Sequence, residues 1–301
     1  MLKNHRAHAL ALVFVLAFAP GARAQAVAQS PATPYETARL ESKLMGRAMP
    51  YDVLLPAGYA ASEEKLYPVL FLLHGLYGRH DDWLRRSRLV EHAAAHDFIV
   101  VTPEGGNGWY TDGADGPAEK YESYIVRELV PEIDRRFRTI RAREGRGVAG
   151  LSMGGYGALK FGVKYPELFA FAGSTSGAVS VASWRSEADL DERLRPFIVK
   201  TFGPATGQVK KSNDLFLLFR ELPAERLASL PFFYLDCGTE DALRLLAPNR
   251  ALADLLAERK IAHEYRQLPG DHSWPYWDRQ VQEILRVAAR RLSPPVAAVT
   301  K

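Results

Sequence analysis

The sequence predicts an α/β fold: a mostly parallel central sheet with helices on both faces and a helical insertion near the strand ends. Three observations carry that prediction. Short apolar runs alternate with stretches of helical spacing along most of the chain, the pattern of strands joined by crossover helices. Within the alternation, Gly147-Val148-Ala149, then Gly150-Leu151-Ser152-Met153-Gly154, then Gly155-Tyr156-Gly157-Ala158-Leu159-Lys160-Phe161 read as strand, sharp turn and helix. The chain has 301 residues, 47% of them hydrophobic, enough for one large domain whose sheet is buried on both faces.

Taken in order, residues 1–24 read as a secretory signal. Lys3 and Arg6 precede an apolar run over 9–19, and Ala22-Arg23-Ala24 offers small residues for cleavage after Ala24. The apolar run is short for a membrane span, so no stable membrane insertion is expected once it is removed; an uncleaved anchor is the alternative. Residues 25–36 read as a loose leader, 37–292 as the folded domain and 293–301 as a flexible tail. Strands are expected at 48–55 and 67–73, joined by a polar loop, with a helix over 83–96 and a strand at 98–101. Ile125, Leu129, Ile133 and Phe137 form one stripe at helical spacing, which predicts a helix over 122–137. After the Ser152 turn come strands at 169–174 and 232–236, then a helix over 242–259 with Pro248 as a kink or restart. A last strand at 263–268 and a closing helix over 280–292 complete the domain. Residues 177–231 break the rhythm, with aromatics scattered among charges. They read as a helical insertion over the sheet edge, placed to cap a site, or as a purely structural excursion.

Charge and cysteine content narrow the function. The formal net charge is +4, and residues 1–24 hold Lys3, Arg6 and Arg23 with no acid, so the remainder carries only +1. That gives no argument for a nucleic-acid partner. Cys237 is the sole cysteine, so no intramolecular disulfide can form and the core alone must hold the fold.

The Ser152 turn points to chemistry. A serine between glycines, at the end of a strand and the start of a helix, projects from the sheet with helix amides aimed at the same point. Such a nucleophile needs a base, an orienting acid and amide donors. Downstream of Ser152 there are only two histidines, His263 and His272. His263 starts a predicted strand, a poor place for a base, whereas His272 lies in the loop after it. The acid is expected in Asp236-Cys237-Gly238-Thr239-Glu240-Asp241. Asp236 reads as structural because it is still on the strand; of Glu240 and Asp241, the position of Asp241 at the helix start favours it. The amide of Met153 is one expected oxyanion donor. The second is the amide of Leu76 in His74-Gly75-Leu76-Tyr77-Gly78, with His74 as a hydrogen-bonded strand-end residue.

These motifs, with Trp109-Tyr110-Thr111-Asp112, Tyr121-Glu122-Ser123-Tyr124 and His272-Ser273-Trp274-Pro275-Tyr276-Trp277, resemble the esterase D (Putative esterase) family of α/β-hydrolases. That family includes S-formylglutathione hydrolases, tributyrin and feruloyl esterases, and mycolyltransferases. The resemblance runs from Tyr51-Asp52-Val53 to the last helix and implies the α/β-hydrolase fold. It also implies Ser152, Asp241 and His272 as a catalytic triad, Leu76 and Met153 as oxyanion amides, and a small-molecule ester as substrate. Acyl transfer to an alcohol or sugar, and a secreted binding protein with a decayed site, are the competing readings. Tyr77, Trp109, Tyr110 and Trp274 are expected to line the substrate site, although aromatics in such loops often simply pack. No cofactor is expected, and no metal, since no ligand spacing of the HExxH kind occurs.

Overall fold

The computed structural model describes residues 35–116 and 119–292, all within the unit Thr33–Lys301. The expected signal, residues 25–34 of the leader and the tail lie outside the described residues. The sheet is built from β1 (Tyr35–Ser42), β2 (Arg47–Leu54), β3 (Val69–Leu73), β4 (Ile99–Pro103), β5 (Arg146–Leu151), β6 (Phe171–Thr175), β7 (Phe232–Gly238) and β8 (His263–Leu268). They lie in the order β1-β2-β4-β3-β5-β6-β7-β8, antiparallel at the first two pairings and parallel from β4 onward. β3, β4, β5 and β6 are buried along their whole length, as parallel strands covered on both faces must be. Parallel pairing sets the C-terminal ends of β3 to β8 along one edge of the sheet.

The described helices are α1 (Asp82–Arg86), α2 (Leu89–Ala93), α3 (Tyr121–Ser123), α4 (Val130–Arg136), α5 (Met153–Lys164), α6 (Arg195–Phe202), α7 (Gln208–Lys211), α8 (Leu215–Glu221), α9 (Leu246–Glu258) and α10 (Trp274–Arg291). A π-helical stretch, Tyr124–Leu129, joins α3 to α4. The sheet separates two cores. On one face, Phe71, Val148 and Phe233 meet Tyr156 and Phe161 of α5, Ile133 of α4 and Leu252 of α9. On the other, Leu70, Leu72 and Tyr234 meet Trp83 of α1, Leu89 of α2 and Ile284 of α10.

Three expectations are corrected. The 83–96 helix is two short helices, broken where Ser87 turns extended and its hydroxyl donates to the Trp83 carbonyl at 2.5 Å. The loose leader ends earlier, because Tyr35 and Glu36 already belong to β1. The 177–231 segment joins β6 to β7, which are neighbours within the sheet, so it covers a face and not an edge. Its Phe202, Leu215 and Phe219 enter the same core as α5.

Candidate active site

The site forms where β3, β5, β7 and β8 end side by side. Its strained residues mark the place: Tyr77, Trp109, Tyr110, Ser152, Ser176 and Arg244 all have positive φ, and all lie in loops after β3 to β7. Non-glycine residues keep that conformation only where their surroundings impose it. Ser152 has φ 53° and ψ −115°, between β5 and α5. Its N–H donates to the Thr175 carbonyl (3.0 Å), and its own carbonyl accepts from Tyr156 (3.0 Å) and Ala178 (3.1 Å). The flanking glycines are sterically required. A Cβ on Gly150 would stand 2.5 Å from the Gly154 backbone, and one on Gly154 would stand 2.5 Å from the Leu73 carbonyl oxygen. The turn therefore presses α5 against the end of β3, and Ser152 itself is buried, with 8% of its surface exposed.

Three of the expected residues come together in one line. Ser152 Oγ lies 3.0 Å from His272 Nε2, and His272 Nδ1 lies 2.8 Å from Asp241 Oδ2. Donation from Nδ1–H to the carboxylate leaves Nε2 as the acceptor of the serine proton, the tautomer a base requires. The Asp241 carboxylate is buried, and its Oδ1 accepts from the Leu243 amide at 3.0 Å. Glu240 is exposed and His263 stands at the opposite end of its strand, so neither reaches the line. Trp277 meets the His272 ring edge-on at 4.9 Å and donates from Nε1 to Ser176 Oγ at 3.2 Å, walling the imidazole in place.

The loop expected to supply the second oxyanion amide sits against the Ser152 turn. A Cβ on Gly75 would lie 3.5 Å from Ser152 Cβ, so the chain passes directly beside the serine. The amides of Leu76 and Met153 have no acceptor among the described residues. His74 is a buried anchor for this loop. Its Nδ1 pairs with the Gly75 carbonyl and its Nε2 accepts from the Gly105 amide, both at 2.8 Å.

The four aromatics expected to line the site divide. Tyr77 is 62% exposed, its ring edge-on to Phe197 of α6 at 5.4 Å and its amide bonded to Asn107 Oδ1. Trp274 is half-buried, packed between Trp83 and Trp277 under the Arg86 guanidinium. Trp109 and Tyr110 are 3% and 0% exposed and offer no face to a ligand; their positive φ values turn both rings inward. Asp236, expected to be structural, accepts from Thr175 Oγ1 (2.6 Å) and the Tyr276 hydroxyl (2.8 Å).

The profile of the Putative esterase family matches residues 42–288. An acetyl esterase of Caldicellulosiruptor saccharolyticus is 31% identical over 219 residues, covering 70% of this chain and 79% of that one. An S-formylglutathione hydrolase of Paracoccus denitrificans is 29% identical over 280 residues, covering 84% and 92%. Longer relatives match as well, and the chain spans 54% of the length of two mycobacterial esterases. Among solved structures, a ferulic acid esterase superimposes with a TM-score of 0.72 at 28% identity, covering 85% of this chain and 98% of its own. Sequence and architecture agree, and the chain belongs to the Putative esterase family: it is an ester hydrolase of the serine type with the α/β-hydrolase fold.

Proposed function

We propose that the protein is an exported esterase that works through a covalent acyl-enzyme on Ser152, with short-chain acyl esters or esters of sugars and aromatic acids as substrates. The observation that carries this reading is the continuous line from Ser152 Oγ through His272 to the buried Asp241 carboxylate. Ser152 Oγ attacks the ester carbonyl as His272 Nε2 takes its proton. The Leu76 and Met153 amides hold the resulting oxyanion, and loss of one such donor typically costs about 3 kcal/mol of transition-state stabilisation. The C–O bond then breaks, the alcohol leaves with the proton from His272, and the acyl group stays on the serine. His272 next deprotonates a water that attacks the acyl-enzyme, releasing the acid and restoring Ser152. Asp241 holds the tautomer and stabilises the imidazolium throughout.

Exposed Tyr77 and half-buried Trp274 are the aromatic faces available to a substrate, and residues 177–231 serve as a cap through Phe197. Export rests on the charge and apolar pattern of residues 1–24, with cleavage after Ala24. Initial rates on nitrophenyl esters from acetyl to palmitoyl, with Ser152→Ala alongside, test the reading. Turnover that peaks at short chains and vanishes in the variant is expected. Background rates at every chain length, or turnover that survives Ser152→Ala, would refute it.

A further inference from the structure

The acyl-transfer chemistry leaves three motifs without a role: Trp109-Tyr110-Thr111-Asp112, Tyr121-Glu122-Ser123-Tyr124, and the stretch of α5 from Gly157 to Lys160. The fold gathers all three into one buried network between α5 and the loop after β3. Lys160 is wholly buried, and its three ammonium protons have three acceptors. These are the Tyr110 carbonyl (2.6 Å), Thr111 Oγ1 (2.6 Å) and Glu122 Oε2 (2.8 Å). Thr111 Oγ1 passes the interaction on by donating to the Trp109 carbonyl at 2.9 Å. Lys160 thus holds, directly or through Thr111, the carbonyls of two successive residues whose φ values are 52° and 50°. Bulky residues avoid that conformation, and here it is held by a buried cation.

The strained turn sends the Tyr110 ring into a slot cut by missing side chains. A Cβ on Gly105 would stand 2.4 Å from the ring, and one on Gly157 of α5 would stand 2.7 Å from it. At the far end, the Tyr110 hydroxyl donates to the His74 carbonyl at 3.0 Å. That carbonyl lies two residues before the Leu76 amide, while Met153, with the other free amide, begins the helix that carries Gly157 and Lys160. Tyr110 therefore touches both the helix and the loop whose separation sets the distance between the two amides. Glu122 completes the anchor with Lys164 and the Tyr165 hydroxyl. Burial alone would raise its carboxyl, but the two lysine ammoniums outweigh burial and hold it at about 2.

We propose that Glu122, Lys160 and Tyr110 form a brace that fixes the Leu76 amide relative to the Met153 amide, making Tyr110 and Lys160 positioning residues for the oxyanion. The proposal rests on the acyl-transfer reading above. Donors aimed at a developing oxyanion act on the transition state more than on the bound ester, so loosening them lowers kcat and spares KM.

Tyr110→Phe tests the brace, because it keeps the ring in its slot and removes only the hydroxyl. In the full chain, kcat on nitrophenyl acetate is expected to fall about tenfold while KM stays within about twofold. Phosphonylation of Ser152 by a nitrophenyl phosphonate should slow by a similar factor, and amide exchange over residues 74–78 should quicken while that over α5 does not. Lys160→Met should reproduce the split between kcat and KM. Unchanged kcat with unchanged exchange overturns the proposal, as does a lower Tm with full kcat per folded molecule. If the unaltered protein resists phosphonylation at Ser152, the acyl-transfer reading fails by itself. The exchange comparison then still decides for or against the brace, and it stands on Tyr110→Phe alone if Lys160→Met does not fold.

Discussion

Asp236 and Asp241 lie five residues apart, yet their surroundings give them different work. Asp241 is aimed at His272, whereas Asp236 ties the end of β6 to α10 through Thr175 and Tyr276. Asp236 Oδ2 is buried without a partner among the described residues. Burial raises this carboxyl, the Thr175 and Tyr276 hydrogen bonds pull it partly back, and it rests at about 7. Between about pH 4 and pH 7 the folded state then binds more protons at this site than the unfolded state, so stability falls as pH rises through that window. Asp236→Asn removes the titration with little change in shape. The urea-unfolding free energy of the unaltered protein minus that of the variant is expected to drop from pH 4 to pH 7.5, by on the order of 4 kcal/mol at most. A difference that stays flat with pH refutes the assignment. Glu122, held at about 2, acts with the opposite sign and at lower pH; its contribution is present above about 4.5 and is lost as pH falls towards 2.

The same residue scale shows what the sequence made legible. Ser152, His272 and Asp241 could be read because each depends on local context: glycines around a turn, a loop after a strand, a helix start. Trp109 and Tyr110 could not. Aromatics in a loop at the strand ends look like substrate contacts. Their burial and positive φ, in a turn whose Tyr110 carbonyl accepts from Lys160 fifty residues downstream in sequence, show that the rings point inward.

Among the elements, α6 is where the proposed cap role can be tested. Its Phe202 is buried against Trp109 and Tyr156, while Phe197, one face round, is half-buried against exposed Tyr77. One ring fastens the helix to the core and the other reaches the loop that carries the Leu76 amide. Phe197→Ala should leave the fold nearly intact, since an edge-on aromatic pair contributes about 0.5–1.5 kcal/mol. KM for aryl esters is expected to rise several-fold with kcat little changed, as steady-state kinetics on a nitrophenyl and an alkyl ester would show. Phe202→Ala, by contrast, should cost about 3–5 kcal/mol of stability, as truncation of a core aromatic does. Equal KM values in Phe197→Ala and the unaltered protein would remove the cap role. Element boundaries were legible where periodicity was strong, as in the stripe read as a helix over 122–137, which is helical from Tyr121 to Arg136 through its π-helical stretch. They failed where pattern was weak. β1 is an edge strand with no apolar alternation, so its first two residues read as leader and no strand is read over the rest. The closing helix starts at Trp274, six residues before the expected start, because Pro275 looks like a loop residue but fits the first helical turn.

For the molecule as a whole, the proposed export and the single cysteine set a joint constraint. A protein sent to an oxidising compartment with one thiol must be stable without a disulfide and must keep that thiol from reacting. The two cores on either side of the sheet meet the first demand. The second is met at Cys237, which is buried on β7 between Asp236 and Gly238. Burial, reinforced by the Asp241 and Asp236 carboxylates, pushes its thiol up to about 12, so thiolate is scarce at neutral pH. No helix among the described residues is long and apolar enough to cross a membrane. If exported as proposed, the protein is expected to begin at Gln25, to leave a thiol-detecting reagent unreacted while native and to react with one equivalent of it when denatured. Intact mass and a thiol titration check this together. An N-terminus that retains residues 1–24 would replace export in free form with an anchor, and rapid labelling of the native protein would show that Cys237 is reached by solvent despite its burial.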